Sequence, residues 1–327
     1  MASQTIIITG ATQGLGYHAA QTLAQQKYVV VMAGRDPARN EAAANAIRQA
    51  TGNATVYAMT LDLAALASVR QFVRDFSGRT DLPPLVGLVN NAGLQIVGPT
   101  EYTPDGIEMT FGVNHLGHFL LTSLLLPHFA QNSRIVMVSS GTHYDNEPFA
   151  RALGVPPPAY TSAEALARPG LAHPGPTTEK PQQAGAERYS TSKLCNLLFA
   201  YELDRRLQAQ GRTGLTVNAY DPGLMPGSGL ARQAPAPAQW AWRHILPVLR
   251  LFPGVGSVQT SGPLLAALIT DPAFAGQTGK YLYFYRPGDM REKPSSPASY
   301  DLVKARDLWD TSERLSGLAV RVRPASI

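Results

Sequence analysis

The sequence holds one cysteine, Cys195, in 327 residues. A single thiol excludes an internal disulfide and any zinc site built from several cysteines. The seven histidines show no ligand spacing such as His-Glu-x-x-His, so no metal is expected. No uncharged apolar stretch is read as approaching the roughly 18 residues of a membrane span. Thr5-Ile6-Ile7-Ile8 lacks the basic lead and cleavage site of a secretory signal. A cytoplasmic protein with at most peripheral membrane contact is the expectation. Strong charge of one sign is missing too. The net charge is +5 and the basic residues are scattered, which disfavours nucleic acid as a partner. A basic mouth for an anionic small molecule accounts for part of that excess. Hydrophobic content of 44% is ordinary for a globular chain, and α/β folds of this length are often one domain.

What is present begins with a strand, a glycine turn and a helix. Thr5 to Ile8 is a β-branched run. Thr9-Gly10-Ala11-Thr12-Gln13-Gly14-Leu15-Gly16 follows, then an apolar helix from Tyr17 to about Gln26. Glycines let backbone approach a pyrophosphate, and a helix N-terminus offers unpaired N–H groups. The bland alternative is a glycine-rich turn without a ligand. The second strand, Tyr28 to Ala33, ends in Gly34-Arg35-Asp36. A carboxylate at that end selects the ribose 2′-hydroxyl of NAD, whereas arginine suits a 2′-phosphate. Arg35 therefore points to NADP(H), unless Asp36 turns into the pocket or Arg35 is only a solvated loop charge. Asp62, closing the third strand (Ala54 to Thr60), is placed either to touch adenine or to cap the helix from Leu66 to Phe76.

The fourth strand, Leu85 to Val89, terminates in Asn90-Asn91-Ala92-Gly93, small enough to leave room for a cofactor. Thr103-Pro104-Asp105-Gly106 is a turn that opens a long helix carrying Asn114-His115-Leu116-Gly117-His118. Asparagine is unfavourable inside a helix. Asn114 is read as bending it and holding a water of a proton relay, or else as a buried polar group satisfied by nearby backbone. Ser139-Ser140-Gly141-Thr142 ends the fifth strand, Arg134 to Val138, where α/β sheets place their chemistry. No Gly-x-Ser-x-Gly elbow surrounds these serines. A hydroxyl that polarises a carbonyl is the better role, with Ser140 first and Thr142 in reserve.

Residues 145–187, rich in Pro, Ala and Gly, are read as a flap at the substrate mouth or as a surface insertion. Tyr189 then starts a helix running to about Leu207. Tyr189 and Lys193 are four residues apart and leave one face a turn apart. A phenol holds its proton near pH 10, and a neighbouring ammonium is expected to lower that into a useful range. Cys195 is read as a buried inert thiol. After the sixth strand, Leu215 to Tyr220, comes Asp221-Pro222-Gly223, a sharp turn beside the expected nicotinamide. Residues 224–256, with Trp240 to Leu246 and Phe252, are read as a substrate lid, with a membrane-surface patch or a subunit contact as alternatives. A helix over Ser257 to Ile269, a last strand over Lys280 to Phe284 and a final helix over Asp301 to Leu318 complete the chain, with a frayed tail from Ala319.

This set resembles the short-chain dehydrogenase/reductase family. The matching positions are Thr9 to Gly16, Asp62, Asn90 to Gly93, Asn114, Ser140, Tyr189, Lys193 and Pro222-Gly223. The resemblance implies a Rossmann-like, doubly wound parallel sheet of about seven strands, in a single domain with a C-terminal helix over 297–319. It also implies the catalytic tetrad Asn114, Ser140, Tyr189 and Lys193. The cofactor would meet Gly10, Thr12, Gln13, Gly14, Leu15, Gly16, Arg35, Asp62, Leu63, Asn91, Ala92, Gly93, Tyr189, Lys193, Pro222 and Gly223. The segment Phe111 to Leu121 and the closing Ala305 to Leu315 are similar to the retinol-dehydrogenase-like and light-dependent protochlorophyllide-reductase branches. One departure is Leu224, where the photoenzymes carry a cysteine after the Pro-Gly turn. The expected activity is an NADPH-dependent oxidoreductase moving hydride between nicotinamide and a carbonyl or alcohol of a bulky apolar substrate. Tetrapyrrole C=C reduction is the alternative. Family members commonly associate through the helices bearing Asn114 and Tyr189, so a homo-oligomer is expected unless the terminal extension blocks it.

Overall fold

The computed structural model describes residues 4–146, 150–151, 154–169, 181–226, 240, 244 and 246–318. Eight strands make one sheet: β1 (Thr5–Thr9), β2 (Val29–Gly34), β3 (Val56–Thr60), β4 (Leu85–Asn90), β5 (Phe129–Val138), β6 (Leu215–Asp221), β7 (Tyr281–Arg286) and β8 (Asp289–Glu292). Their order is β3-β2-β1-β4-β5-β6-β7-β8. The first seven are parallel and β8 folds back antiparallel on β7. The sequence reading expected about seven strands and missed β8. Asp289-Met290-Arg291-Glu292 has no β-branched run, and pairing to β7 is what makes it a strand.

The helices are α1 (Gly14–Gln25), α2 (Pro37–Thr51), α3 (Leu66–Ser77), α4 (Met109–Phe111), α5 (Gly117–Leu125), α6 (Ala163–Ala167), α7 (Pro181–Ala209), α8 (Val258–Thr270) and α9 (Leu302–Ser316). The central strands β1, β2, β4 and β6 are buried on both faces, as parallel sheets require. Ile6 and Ile8 join one apolar core with α1 and α8, while Ile7 joins the other with α3 and α5. Alternation along β1 thus feeds two helical layers. Each fully buried isoleucine contributes about 1.5–3 kcal/mol, so a charge in β1 would cost the sheet its centre.

Several boundaries correct the sequence reading. α1 starts at Gly14, not Tyr17, so the last two glycines of the turn are already helical. α7 starts at Pro181, which puts Tyr189 well inside a 29-residue helix and not at its start. The long helix begins at Met109 and is interrupted by a π turn, Gly112–Leu116. The expectation that no apolar run nears membrane-span length fails here. Met109–His128 has that length and hydropathy, but 78% of it is buried inside the fold, as a core helix would be.

α9 lies across α7 and α5. Trp309 packs edge-on against Phe119 at 5.1 Å and lies 5.9 Å from the Phe199 ring, with the Arg206 guanidinium 4.2 Å above it. Asp301 caps α9 and Gly317 ends it in the left-handed conformation. Of the expected flap, residues 154–169 pack down: Ala163 and Ala167 of α6 are buried with Leu308 of α9, and Asp307 accepts from the Tyr160 hydroxyl at 2.8 Å. Residues 147–149, 152–153 and 170–180 of that segment lie outside the described residues, as do 227–239 of the expected lid and the tail from Ala319.

Candidate active site

The strand order reverses between β1 and β4, and the loops that follow these two strands open a crevice at the carboxyl edge of the sheet. Gly10 takes a φ of +66° there, and a Cβ on it would come within 2.9 Å of Ala92 Cα. A Cβ on Gly16 would meet the Asn91 amide at 2.5 Å. The two loops therefore touch only because both positions lack side chains. Gln13, at the N-cap of α1, makes no side-chain cap, so the first N–H groups of α1 are left for an anion. Thr12 and Gly14 border the crevice half-exposed. Leu15 sends its side chain into the core and has only backbone to offer.

Asn91 was expected at the cofactor. Its side chain instead donates to the Thr9 carbonyl at 2.7 Å and the Gly10 carbonyl at 3.3 Å, bracing the glycine turn from behind. Ala92 and Gly93 remain at the open side. Arg35 is exposed beyond Gly34, and Asp36 is committed elsewhere: its carboxylate accepts from the Arg39 N–H at 3.1 Å and caps α2. Asp62 does not cap α3. Its Oδ1 closes a turn onto the Ala64 N–H at 3.0 Å, while the Leu66 N–H at the start of α3 donates to Asp105 from another loop. Leu63 is buried in the core, so only its backbone is available to a ligand.

β5 and β6 deliver the reacting groups. Ser140 caps the short turn Gly141–His143, its oxygen accepting from the Thr142 N–H at 3.3 Å. Its hydroxyl faces the Tyr189 phenol and eases that group's proton affinity downward. Thr142, the reserve choice, has a buried hydroxyl that makes no hydrogen bond among the described residues. Tyr189 is partly exposed on α7. Lys193, one turn on, is 4% exposed; its Nζ lies 5.5 Å from the Tyr189 ring and donates to the Val138 carbonyl at 3.3 Å. A Cβ on Gly93 would lie 3.4 Å from Asn114 Oδ1 and 3.5 Å from Lys193 Nζ, so these three residues converge.

Two expectations change. Burial first, then the Asp221 carboxylate, push the Tyr189 phenol up to about 12, and only the Ser140 hydroxyl opposes them. Burial holds Lys193 itself down to about 8, and its presence does not bring the phenol below its ordinary value. The Asn114 side chain, expected to hold a water, is spent on protein. Oδ1 accepts from the Leu94 N–H at 2.8 Å, and Nδ2 donates to the Leu94 carbonyl and to Ser192 Oγ, both at 2.9 Å. The bland alternative for that side chain is the correct one. Pro222-Gly223 turns the chain sharply: Gly223 has a φ of +74°, its N–H donates to Asp221 Oδ1, and Ser261 donates to the Pro222 carbonyl. Cys195 is fully buried and its thiol is pushed up by burial, in line with an inert role.

Three residues at this site were not singled out from sequence. Asp221 also accepts from the Tyr281 hydroxyl at 2.8 Å. His143 bonds the Ser140 carbonyl at 2.6 Å and accepts from the Ser296 N–H. His118 bonds Thr9 and Asn114. The signal for the histidines was spacing: three residues after Ser140 and four after Asn114. Among the described residues no group of three potential metal ligands gathers.

A dinucleotide cradle beside a serine, tyrosine and lysine defines an oxidoreductase site. A family model described as short chain dehydrogenase matches residues 4–152. The chain is 38% identical over 328 residues to the protochlorophyllide reductase of Avena sativa, covering 96% of this chain and 100% of that one. It is 35% identical over 318 residues to the polyprenol dehydrogenase of Danio rerio, covering 95% and 86%. The structure of an uncharacterized protein from Mycobacterium paratuberculosis matches with a TM-score of 0.67 at 30% identity, covering 96% and 93%. A short chain dehydrogenase from Shigella flexneri, solved with NADP, shares the fold with a TM-score of 0.58 at 22% identity, covering 86% and 95%. The chain belongs to the short-chain dehydrogenase family and is an oxidoreductase.

Proposed function

We propose that this chain is an NADP(H)-dependent reductase of a bulky apolar carbonyl compound, running in reverse as an alcohol dehydrogenase. The observation that carries it is the Tyr189 phenol beside Ser140, with buried Lys193 one helical turn away and its Nζ 5.5 Å from the phenol ring. When bound, reduced nicotinamide supplies the hydride. Ser140 donates to the substrate carbonyl oxygen and gathers its growing negative charge. The Tyr189 O–H bond breaks and its proton goes to that oxygen, leaving an alcohol. A phenol held up to about 12 stays protonated at neutral pH, which suits the reductive direction. Lys193 holds the ribose side of the site and returns a proton toward Tyr189. The backbone of Gly10 to Gly16 and the open start of α1 fit the pyrophosphate. Arg35, freed from competition because Asp36 is a cap, fits a 2′-phosphate.

Apolar substrate chemistry is supported by the exposed Val248, Leu251, Phe252 and Trp240 in the stretch read as a lid, and by the relative that oxidises polyprenol. Reduction of a tetrapyrrole C=C bond is the second reading, supported by the protochlorophyllide reductases among the relatives. Against it, Leu224 follows the Pro-Gly turn and pairs with Val255, and the chain's one thiol is buried in α7. The chain acts as a monomer, because α9 covers the outer faces of the helices bearing Asn114 and Tyr189. It works in the cytoplasm, with peripheral membrane contact through the apolar lid stretch at most.

The test is NADPH consumption with a panel of decanal, all-trans-retinal and benzil, with wild type and Tyr189→Phe in parallel. Turnover that falls at least about 100-fold in the variant is expected. Tight NADPH binding with no turnover on any of the three removes the carbonyl reading. Photoproduct from protochlorophyllide, NADPH and light would then establish the second.

A further inference from the structure

His118 is 2% exposed and lies in the first turn of α5, two residues past the π turn, within reach of Thr9 and Asn114. Its Nδ1 is 3.1 Å from the Asn114 carbonyl oxygen and its Nε2 is 2.9 Å from Thr9 Oγ1. A carbonyl only accepts, so Nδ1 carries the hydrogen and Nε2 is bare in the neutral ring. The Thr9 hydroxyl, which also reaches the Val89 carbonyl at 3.4 Å, then has Nε2 as its nearer acceptor. That same oxygen accepts from the Asn91 and Ala92 N–H groups, both at 2.9 Å. One imidazole thus ties together the end of β1, the turn after β4 and the carbonyl of Asn114. Wide π turns loosen the regular helical ladder and recur at functional sites.

The Asn114 side chain is engaged by Leu94 and Ser192, and it lies near Lys193 across Gly93. A carbonyl oxygen has two lone pairs. His118 occupies one of those on the Asn114 carbonyl. A protonated ring would aim a second N–H at Thr9 Oγ1, which already takes two, and the triad of contacts would break. Lys193 is the charged group facing His118, and its ammonium together with burial keeps the ring neutral, its pKa held down to about 4. His115, equally buried on the same helix turn, does not share the role: its Nε2 meets Ser312 of α9.

We infer that His118 is a positioning residue of the proton relay, holding the Asn114 carbonyl in register with Lys193 while anchoring the cofactor loops through Thr9. The inference rests on the proton-transfer reading above. Two measurements test it. First, imidazole ¹⁵N shifts of the full chain should show His118 with a protonated Nδ1 and a bare Nε2 at pH 7; the opposite tautomer overturns the inference and needs no substrate. Second, His118→Asn keeps an amide N–H where Nδ1 stands, and His118→Gln keeps a polar group only toward Thr9. Using whichever panel carbonyl is turned over, kcat of His118→Asn should stay within about 3-fold of wild type. That of His118→Gln should fall at least about 10-fold, with a larger solvent deuterium isotope effect and little change in the NADPH dissociation constant. Equal kcat and equal isotope effects in both variants would overturn it. Loss of NADPH binding in both, with kcat unchanged at saturation, would reduce His118 to a scaffold for the loops and overturn it equally. Should Tyr189→Phe itself remain active, the mechanism fails; should only the His118 pair behave alike, the mechanism stands and this inference does not.

Discussion

Lys193 Nζ lies 5.5 Å from the centroid of the Tyr189 ring, while its hydrogen bond goes to the Val138 carbonyl at 3.3 Å. The pair is stacked by the helix and not joined by a direct bond. Burial raises one partner's affinity for its proton and lowers the other's, so each is displaced toward its neutral form.

Lys193 sets the alkaline side of the free enzyme. Its ammonium persists below about 8 and is lost above it. kcat/KM for NADPH should therefore decline as pH rises through about 8. Lys193→Met should lose that limb along with at least about 100-fold of kcat/KM. A profile flat from pH 7 to 9.5 in wild type would contradict the assignment.

Asp221 raises both Tyr189 and Lys193. Asp221→Asn should move both groups down. Alcohol oxidation with NADP⁺, which needs the phenolate, should then reach half-maximal rate at lower pH than in wild type. Tyr281→Phe, which removes only the hydrogen bond to Asp221, controls for disturbance of β7. An unmoved oxidation profile in Asp221→Asn counts against the electrostatic link.

Arg35 is the residue proposed to discriminate between cofactors. Charge-assisted bonds to a phosphate are worth about 1.5–3 kcal/mol. Arg35→Ser should weaken NADPH binding roughly 10- to 100-fold and leave NADH nearly untouched. Equal losses for both would show that Arg35 does not meet a 2′-phosphate.

Acid should destabilise the fold through its buried histidines. His118 and His143 are buried neutral, their folded pKa near 4 against 6.5 in the unfolded chain. The unfolded chain binds more protons between those values, so this part of the stability is intact above about 6.5 and is lost as pH falls toward 4. At about 1.4 kcal/mol per pH unit, the cost is on the order of 3 kcal/mol for each residue by pH 4. Urea midpoints measured from pH 7 to 5 should fall, and a constant midpoint would exclude the effect.

Trp309 should be the residue on which α9 depends. It is 8% exposed among Phe119, Phe199 and Arg206. Trp309→Ala should cost about 3–5 kcal/mol. It should also uncover the aromatic faces of α5 and α7, so light scattering should show a wild-type monomer and a variant that self-associates. A wild-type dimer would place the contact on another face.

Much of this was legible along the chain because it is local. The Ile run, the glycine turn and the four-residue Tyr189–Lys193 spacing each report a strand, a helix N-terminus or one helical face, and neighbours in sequence impose these before any packing. What was misread depended on distant partners. Asn91 braces the glycine turn because β4 lies beside β1, and Asp62 is released from capping because Asp105 arrives from another loop. Asp289 to Glu292 becomes a strand only against β7.

The sequence by itself determined the sheet's core strands and the glycine turn, and it named the candidate hydroxyls. Those follow from side-chain period and from turns that only glycine closes. Tertiary structure alone decided their protonation and their wiring. How far a phenol or an imidazole is removed from water, and which carbonyl faces it, depends on groups brought together from β1, β4, β6 and α7, and no local pattern encodes that meeting.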